Sequence, residues 1–253
     1  MKILNYMKQE KYVTAQRRVL LMGPPKWGKT WSALTAPNPI VADFDRGLAG
    51  YPNEVYTIPF YDTKWVMNTF KIKWSAESFL KWLQTDALQL DKDQTVIVDS
   101  LSTLSDALTV ELDAKTPLTR QGEKDSFWFW RAWSQWLCDM CNAFTRLQAN
   151  VILITHEQEI RDSETGKVLG YKWLLKGQDF PPRMSQFFTD VIRQTKRTEE
   201  LKGKVKETFL WQIKPDSLFP LLCTRYVTED KFVPANWSAI EISNNNEQQK
   251  EQL

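Results

Sequence analysis

The stretch Arg18–Thr35, RVLLMGPPKWGKTWSALT, limits what this chain can fold into more than any other part of it. Its middle, Gly23–Thr30, satisfies G-x-x-x-x-G-K-S/T. In that spacing backbone N–H groups surround phosphate, the Lys29 ammonium reaches the terminal phosphates and the Thr30 hydroxyl is offered to magnesium. The loop needs a strand before it and a helix after it. Arg18–Met22 is an apolar run of strand length, and a helix opening at Gly28 or Lys29 aims its positive end at the same anion. The residues expected around the phosphates are Gly23, Pro24, Pro25, Lys26, Trp27, Gly28, Lys29, Thr30 and Trp31. A Pro-Pro turn between two core elements is the plain alternative.

The chain has 253 residues, enough for one large α/β core, and its 42% hydrophobic and 25% charged content is ordinary for a folded protein. A net charge of +2 is too mild to mark a nucleic-acid binder in bulk, so any such surface must be local. No apolar run reaches the roughly 18 residues of a membrane span, and Met1–Gln16 is too polar for a signal peptide. The expectation is a cytoplasmic protein with no membrane partner. Cys138 and Cys141 stand in a C-x-x-C spacing inside a helical pattern without a second pair, which points to core packing. The expected layout is an arm over 1–17, a main domain over 18–240 and a disordered polar tail over 241–253.

Further strands end in chemistry-bearing residues. Ile40–Ala42 reads as a buried strand beside the first, followed by Asp43 and Asp45. Ligands collect beyond the carboxyl ends of parallel strands, so both acids are expected near the phosphates, one of them orienting water; an Asp-rich turn before Gly47 is the alternative. Glu54–Phe60 reads as a short strand, and Ser75 caps a helix with Phe79, Leu80, Leu83 and Ala87 on one face, joined by Trp74 and Trp82. Thr95–Val98 ends in Asp99, the form of a strand whose acid holds magnesium through water, with Ser100 and Ser102 near the phosphates. Lys115–Lys124 is a polar loop carrying Lys115, Arg120 and Lys124. Asp125 then caps a long helix with Phe127, Trp130, Leu137, Cys141 and Phe144 on one face and Trp128, Ala132 and Trp136 on a second, which is either buried or turned to another subunit. Val151–Thr155 is a buried strand ending in His156, the one histidine, placed where a γ-phosphate is sensed unless it is a satisfied core residue. Glu159–Arg161 and Val168–Trp173 flank the turn Asp162–Lys167 as a hairpin. Phe187–Thr195 and Glu207–Lys214 form another, with Arg193, Lys196, Arg197, Lys202, Lys204 and Lys206 outweighing Glu199 and Glu200. Such a hairpin either lines a phosphate backbone or is a solvated edge.

Taken in order, GPPKWGKT, ADFDRGL, TVIVDSLS and ILITHEQ resemble the RecA-type ATPase core, in particular the small RecA-like nucleotide-binding proteins of bacteriophages associated with single-strand DNA annealing. The resemblance covers Arg18 to Arg225. It implies an α/β RecA-like P-loop fold, with a mostly parallel central sheet, helices on both faces and a C-terminal antiparallel hairpin. It implies ATP and Mg2+ as ligands, with Lys29 and Thr30 as the Walker A pair and Thr30 and Asp99 at the metal. Asp45 falls where the family carries the catalytic glutamate of a D-x-E pattern, one methylene shorter, and His156 falls at the γ-phosphate sensor. Lys115, Arg120 and Lys124 match the first DNA-binding loop; Arg161, Lys167, Lys172 and Lys176 match the second, where Tyr171 and Trp173 are candidates to stack bases. Lys214 and Arg225 match basic residues that reach a neighbouring subunit's nucleotide in a homo-oligomer.

The expected activity is an Mg-ATP-dependent ATPase on single-stranded DNA in phage recombination, annealing or replication. A second reading is an ATP-gated oligomeric DNA scaffold with little hydrolysis. A third, a small-molecule kinase or GTPase, has neither an N-K-x-D motif nor an Arg-rich lid to support it.

Overall fold

Runs such as VLLM, VIV and VILI lack polar alternation, as expected of strands buried on both faces of a parallel sheet. The computed structural model describes residues 16–48, 51, 55–58, 60–66, 69–177, 180–201, 204–225 and 228–241. Most of the expected arm, nearly all of the expected tail and Lys202 lie outside the described residues. The first half contains β1 (Arg18–Gly23), α1 (Lys29–Ala33), β2 (Pro39–Asp43), β3 (Tyr56–Thr57), β4 (Tyr61–Val66), β5 (Thr69–Trp74), α2 (Ala76–Gln84), β6 (Thr95–Asp99) and α3 (Leu101–Lys115). The second contains α4 (Ser126–Arg146), β7 (Asn150–Arg161), β8 (Val168–Trp173), β9 (Asp190–Leu201), β10 (Lys204–Gln212), β11 (Phe232–Pro234) and α5 (Ser238–Glu241).

The main sheet runs β11-β10-β9-β1-β7-β6-β2-β3, with β8 paired to β7. From β9 to β3 the pairings are parallel. β10 and β11 add antiparallel at one edge, so the fold class expected from the sequence is the one observed. One placement is corrected: β2 does not lie beside β1, because β7 and β6 stand between them. Strands buried on both faces present similar apolar surfaces to any neighbour, so chain order does not decide which of them pair.

Alternate residues of β1 enter two cores. Leu20 and Met22 pack with Val96, Val98, Leu153 and the apolar sides of α2, α3 and α4. Val19 and Leu21 pack with Ile97, Ile152, Ile154, Ala33 of α1, Trp211 and Ile240 of α5. Helices therefore cover both faces. The Ser75 Oγ accepts from the Ser78 N–H at 3.1 Å and opens α2, which buries Phe79 and Leu83. Asp125 caps α4 by accepting from the Trp128 N–H at 3.0 Å. Burial on α4 begins only at Trp133 and continues through Leu137, Met140, Cys141 and Phe144, so the expected apolar face is corrected at its start. Phe127 and Trp130, in the two turns before Trp133, are 76% and 44% exposed. Burial pushes the Cys141 thiol up to about 12, as suits an unreactive core residue.

β4 and β5 form a separate antiparallel hairpin in register Tyr61 to Trp74 and Val66 to Thr69. The expected strand Glu54–Phe60 is reduced to Tyr56–Thr57. Among the described residues no helix is long and apolar enough to cross a membrane.

Both hairpins expected late in the chain form, and both overrun β1. Gly23, the last residue of β1, pairs with His156, while β7 continues to Arg161 and returns as β8. On the other side Met22 pairs with Arg193, while β9 continues to Leu201 and returns as β10. The Gly23–Thr30 loop thus opens between two projecting hairpins.

Candidate nucleotide site

The loop begins where two backbones approach closely. A Cβ on Gly23 would lie 2.9 Å from the Gln194 carbonyl oxygen, which only glycine avoids. Gly28, at φ 77°, turns the chain into α1, and the Phe209 ring of the β9–β10 hairpin lies 3.6 Å from where its Cβ would be.

Lys29 is folded back on this loop. Its Nζ donates to the carbonyls of Gly23 at 3.0 Å and Pro24 at 2.8 Å, and lies 3.2 Å from Nδ1 of His156. Burial lowers its pKa to about 8, against the pull of Asp99, Glu157 and Asp45. Thr30 donates its hydroxyl to Oδ2 of Asp99 at 2.6 Å. Desolvation raises the Asp99 carboxyl to about 6 despite that bond.

The two acids after β2 divide their roles. Asp43 turns back to accept from the N–H groups of Gly47 at 3.1 Å and Leu48 at 3.4 Å, and burial raises its pKa. Asp45 faces the site. Its Oδ1 accepts from Ser100 Oγ at 2.9 Å and from Thr103 Oγ1, and its Oδ2 lies 3.6 Å from Nε2 of His156. Burial alone would raise the Asp45 pKa, but hydrogen bonds from His156, Thr103 and Ser100 outweigh it and hold the carboxyl below its ordinary value. Ser102 accepts from the His156 N–H at 3.2 Å, which fixes the end of the buried part of β7.

Lys29, Thr30, Asp45, Asp99 and His156, drawn from four separated stretches, thus lie together in one set of contacts. Thr103 was not foreseen, although it stands one helical turn beyond Ser100, whose side chain caps α3. Nor was Tyr51, which stacks on Trp31 at 5.6 Å and whose phenol pKa is raised by burial despite a bond to Thr30. The donors suit magnesium. Among the described residues no cluster of three or more His, Cys, Asp or Glu forms a cage. Mg2+ instead takes one or two carboxylates beside phosphates and water, and the Thr30 hydroxyl with the Asp99 carboxylate supplies such hard oxygen donors.

The basic candidates are more dispersed. Lys115 closes α3 and pairs with Glu77 at 2.7 Å, Lys176 pairs with Asp106 at 3.0 Å, Lys124 pairs with Asp113, and Arg161 pairs with Glu159. Arg120, Lys167 and Lys172 are exposed, with no carboxylate partner among the described residues. Lys214 donates to the Glu229 carbonyl at 2.7 Å. Arg225 is exposed beside Arg18, at the end of β1 away from the loop. The base-stacking expectation for Trp173 is corrected: it is buried, and its indole N–H donates to the Pro181 carbonyl at 2.8 Å. Tyr171 is already stacked on Phe219 at 4.7 Å.

No curated protein matches the chain. Among solved structures the RadB recombinase is similar at 14% identity, over 80% of this chain and 84% of that one, with a TM-score of 0.39. A family model described as an AAA domain matches residues 15–208, a span that takes in the Gly23–Thr30 loop, Asp45, Asp99 and His156, and the chain belongs to that family.

Proposed function

We propose that the chain is a magnesium- and ATP-dependent ATPase of RecA-like type that binds single-stranded DNA, as a homo-oligomer, in phage recombination, annealing or replication. The observation that carries this reading is the convergence of Lys29, Thr30, Asp45, Asp99 and His156 at the open end of β1. Lys29 leaves the Gly23 and Pro24 carbonyls for the terminal phosphate, Thr30 and Asp99 hold the metal, and His156 contacts the γ-phosphate. Asp45 orients the attacking water, and Lys214 and Arg225 serve a neighbour's nucleotide. Bound magnesium would neutralise charge building on the β- and γ-phosphates.

Two titrations bracket nucleotide binding. A bound phosphate keeps Lys29 protonated, whereas the free site loses that proton above about 8. Affinity therefore falls as pH rises past that value, approaching roughly tenfold per unit. Magnesium requires ionised Asp99, so metal affinity falls as pH drops below about 6. Calorimetric titration of ATP with and without Mg2+ across this range measures both limbs; a flat affinity profile contradicts the placement of Lys29.

The DNA part is tested by fluorescence anisotropy with labelled single-stranded DNA, duplex DNA and RNA, with and without Mg-ATP, over a salt series. The expected result is a preference for single-stranded DNA, with log affinity falling linearly with log salt. Absence of binding at low salt removes the DNA role and leaves the ATPase standing.

One observation favours a second reading, an ATP-gated scaffold with little hydrolysis. Asp45 is shorter than glutamate, and its Oδ1 is already engaged by Ser100 and Thr103. Equal annealing with ATP and with a non-hydrolysable analogue selects the scaffold; dependence on hydrolysis selects the enzyme.

A further inference from the structure

Among the described residues no strand separates β7 from β9 beyond Gly23, and an ion pair spans the gap. Arg193 of β9 donates from Nε to Oε2 and from Nη2 to Oε1 of Glu157 on β7, each at 2.9 Å. The two side chains are only 13% and 6% exposed. The guanidinium lies 4.2 Å from the centroid of Phe219, 5.6 Å from Tyr171 and 6.0 Å from Trp27, which belongs to the phosphate loop itself. A two-pronged bond of this kind is strong and geometrically strict. Stability by itself is a weak explanation for it, because well-packed apolar residues commonly replace buried ion pairs at no net cost.

Its position suggests another purpose. Glu157 is bonded through the chain to His156, whose ring stands between Lys29 and Asp45. Trp27 is two residues before Lys29 in the loop. The fork therefore touches both walls of the site. We propose that the Glu157–Arg193 pair is a strut of two positioning residues, holding His156 at its set distance from Lys29 and Asp45 where β1 has ended. Its catalytic consequence rests on the ATPase reading; its geometric consequence does not.

The geometric consequence has a specific signature. An ammonium has only donors, so Lys29 makes Nδ1 of His156 the acceptor and leaves the ring proton on Nε2, toward Asp45. His156 is the one histidine in the chain, so 15N NMR of the labelled, nucleotide-free protein reports a single imidazole. The neutral ring of the wild type is expected to be the Nε2–H tautomer alone. R193Q and E157Q, verified as folded by near-UV circular dichroism, are expected to show a mixture of tautomers. R193K, which keeps the charge without the fork, is expected to fall between them. With Mg-ATP, E157Q should lose turnover by about tenfold to a hundredfold while nucleotide affinity stays within about twofold, the mark of misplacement rather than lost binding.

A single Nε2–H tautomer in folded R193Q and E157Q overturns the proposal, as does a mixture in the wild type. If R193Q does not fold, the nearly isosteric E157Q decides. Mixed tautomers in the folded variants, a single one in the wild type and no turnover in any of them support the strut and refute the ATPase reading, so the two failures are distinguishable.

Discussion

Lys29→Ala is expected to lower ATP turnover by about 10²–10³-fold or more, the loss typical when one preorganised donor to the developing charge is removed. The side chain supplies a compact positive charge, and among the described residues no other cation contacts the Gly23 or Pro24 carbonyls as its ammonium does. The loss should come without unfolding. Lys29 has a folded pKa of about 8 against an ordinary 10.5, so its buried ammonium works against folding below about 8, and that penalty fades as pH rises from there toward 10.5. Removing the charge at neutral pH should leave the melting temperature unchanged or slightly higher. Steady-state phosphate release and a thermal melt on the same preparation check both halves. Retained turnover would mean that the site lies elsewhere.

The largest expected effect on stability is at Trp211. Its indole is fully buried between β10 and α1, in the core shared by Val19, Leu21, Ile192 and Trp237. The indole N–H donates to Oε1 of Gln194 at 2.9 Å, and the same oxygen accepts from Ser32 of α1 at 2.9 Å. Trp211→Ala removes a large ring whose space the surrounding strands cannot close, at a cost of about 3–5 kcal/mol. For a domain of this size that lowers the melting temperature by on the order of 10 °C. Trp211→Phe should recover most of the packing but not the hydrogen bond. Differential scanning calorimetry distinguishes the variants, and an alanine variant that melts with the wild type would contradict this account of the core. Because Gln194 also abuts Gly23, nucleotide affinity should weaken in the alanine variant even below its transition.

Several features were legible in the chain because each is local. The phosphate loop needs only its spacing and flanking elements, and Asp99 and His156 are read as polar residues ending apolar runs. The Asp162–Lys167 turn is marked by its own chemistry: Asp162 Oδ1 accepts from the Thr165 N–H at 2.7 Å, and Gly166 takes φ 69°. The β4–β5 hairpin was not expected: Thr69–Trp74 alternates polar and apolar residues, but the polar Tyr61–Lys64 stretch masks its partner. Nor was the exposure of Phe127. A helical stripe gives the direction of an apolar face but not how far along the helix other layers reach.

Asp43 and Asp45 show where local reading stops. Two residues apart on a strand end, they carry the same chemistry, and strand alternation points them the same way. The turn at Gly47–Leu48 takes Asp43, while Ser100, Thr103 and His156, from two other elements, take Asp45. By itself the sequence determined the phosphate loop, the acids and histidine at the strand ends, and the alternation of strands and helices, because spacing and periodicity act within a few residues. Only the tertiary structure decided that β7 lies between β1 and β6, that His156 meets Lys29, and that Glu157 and Arg193 close the gap past Gly23. Those contacts join residues far apart in the chain, and strands buried on both faces are too alike in composition to specify their neighbours.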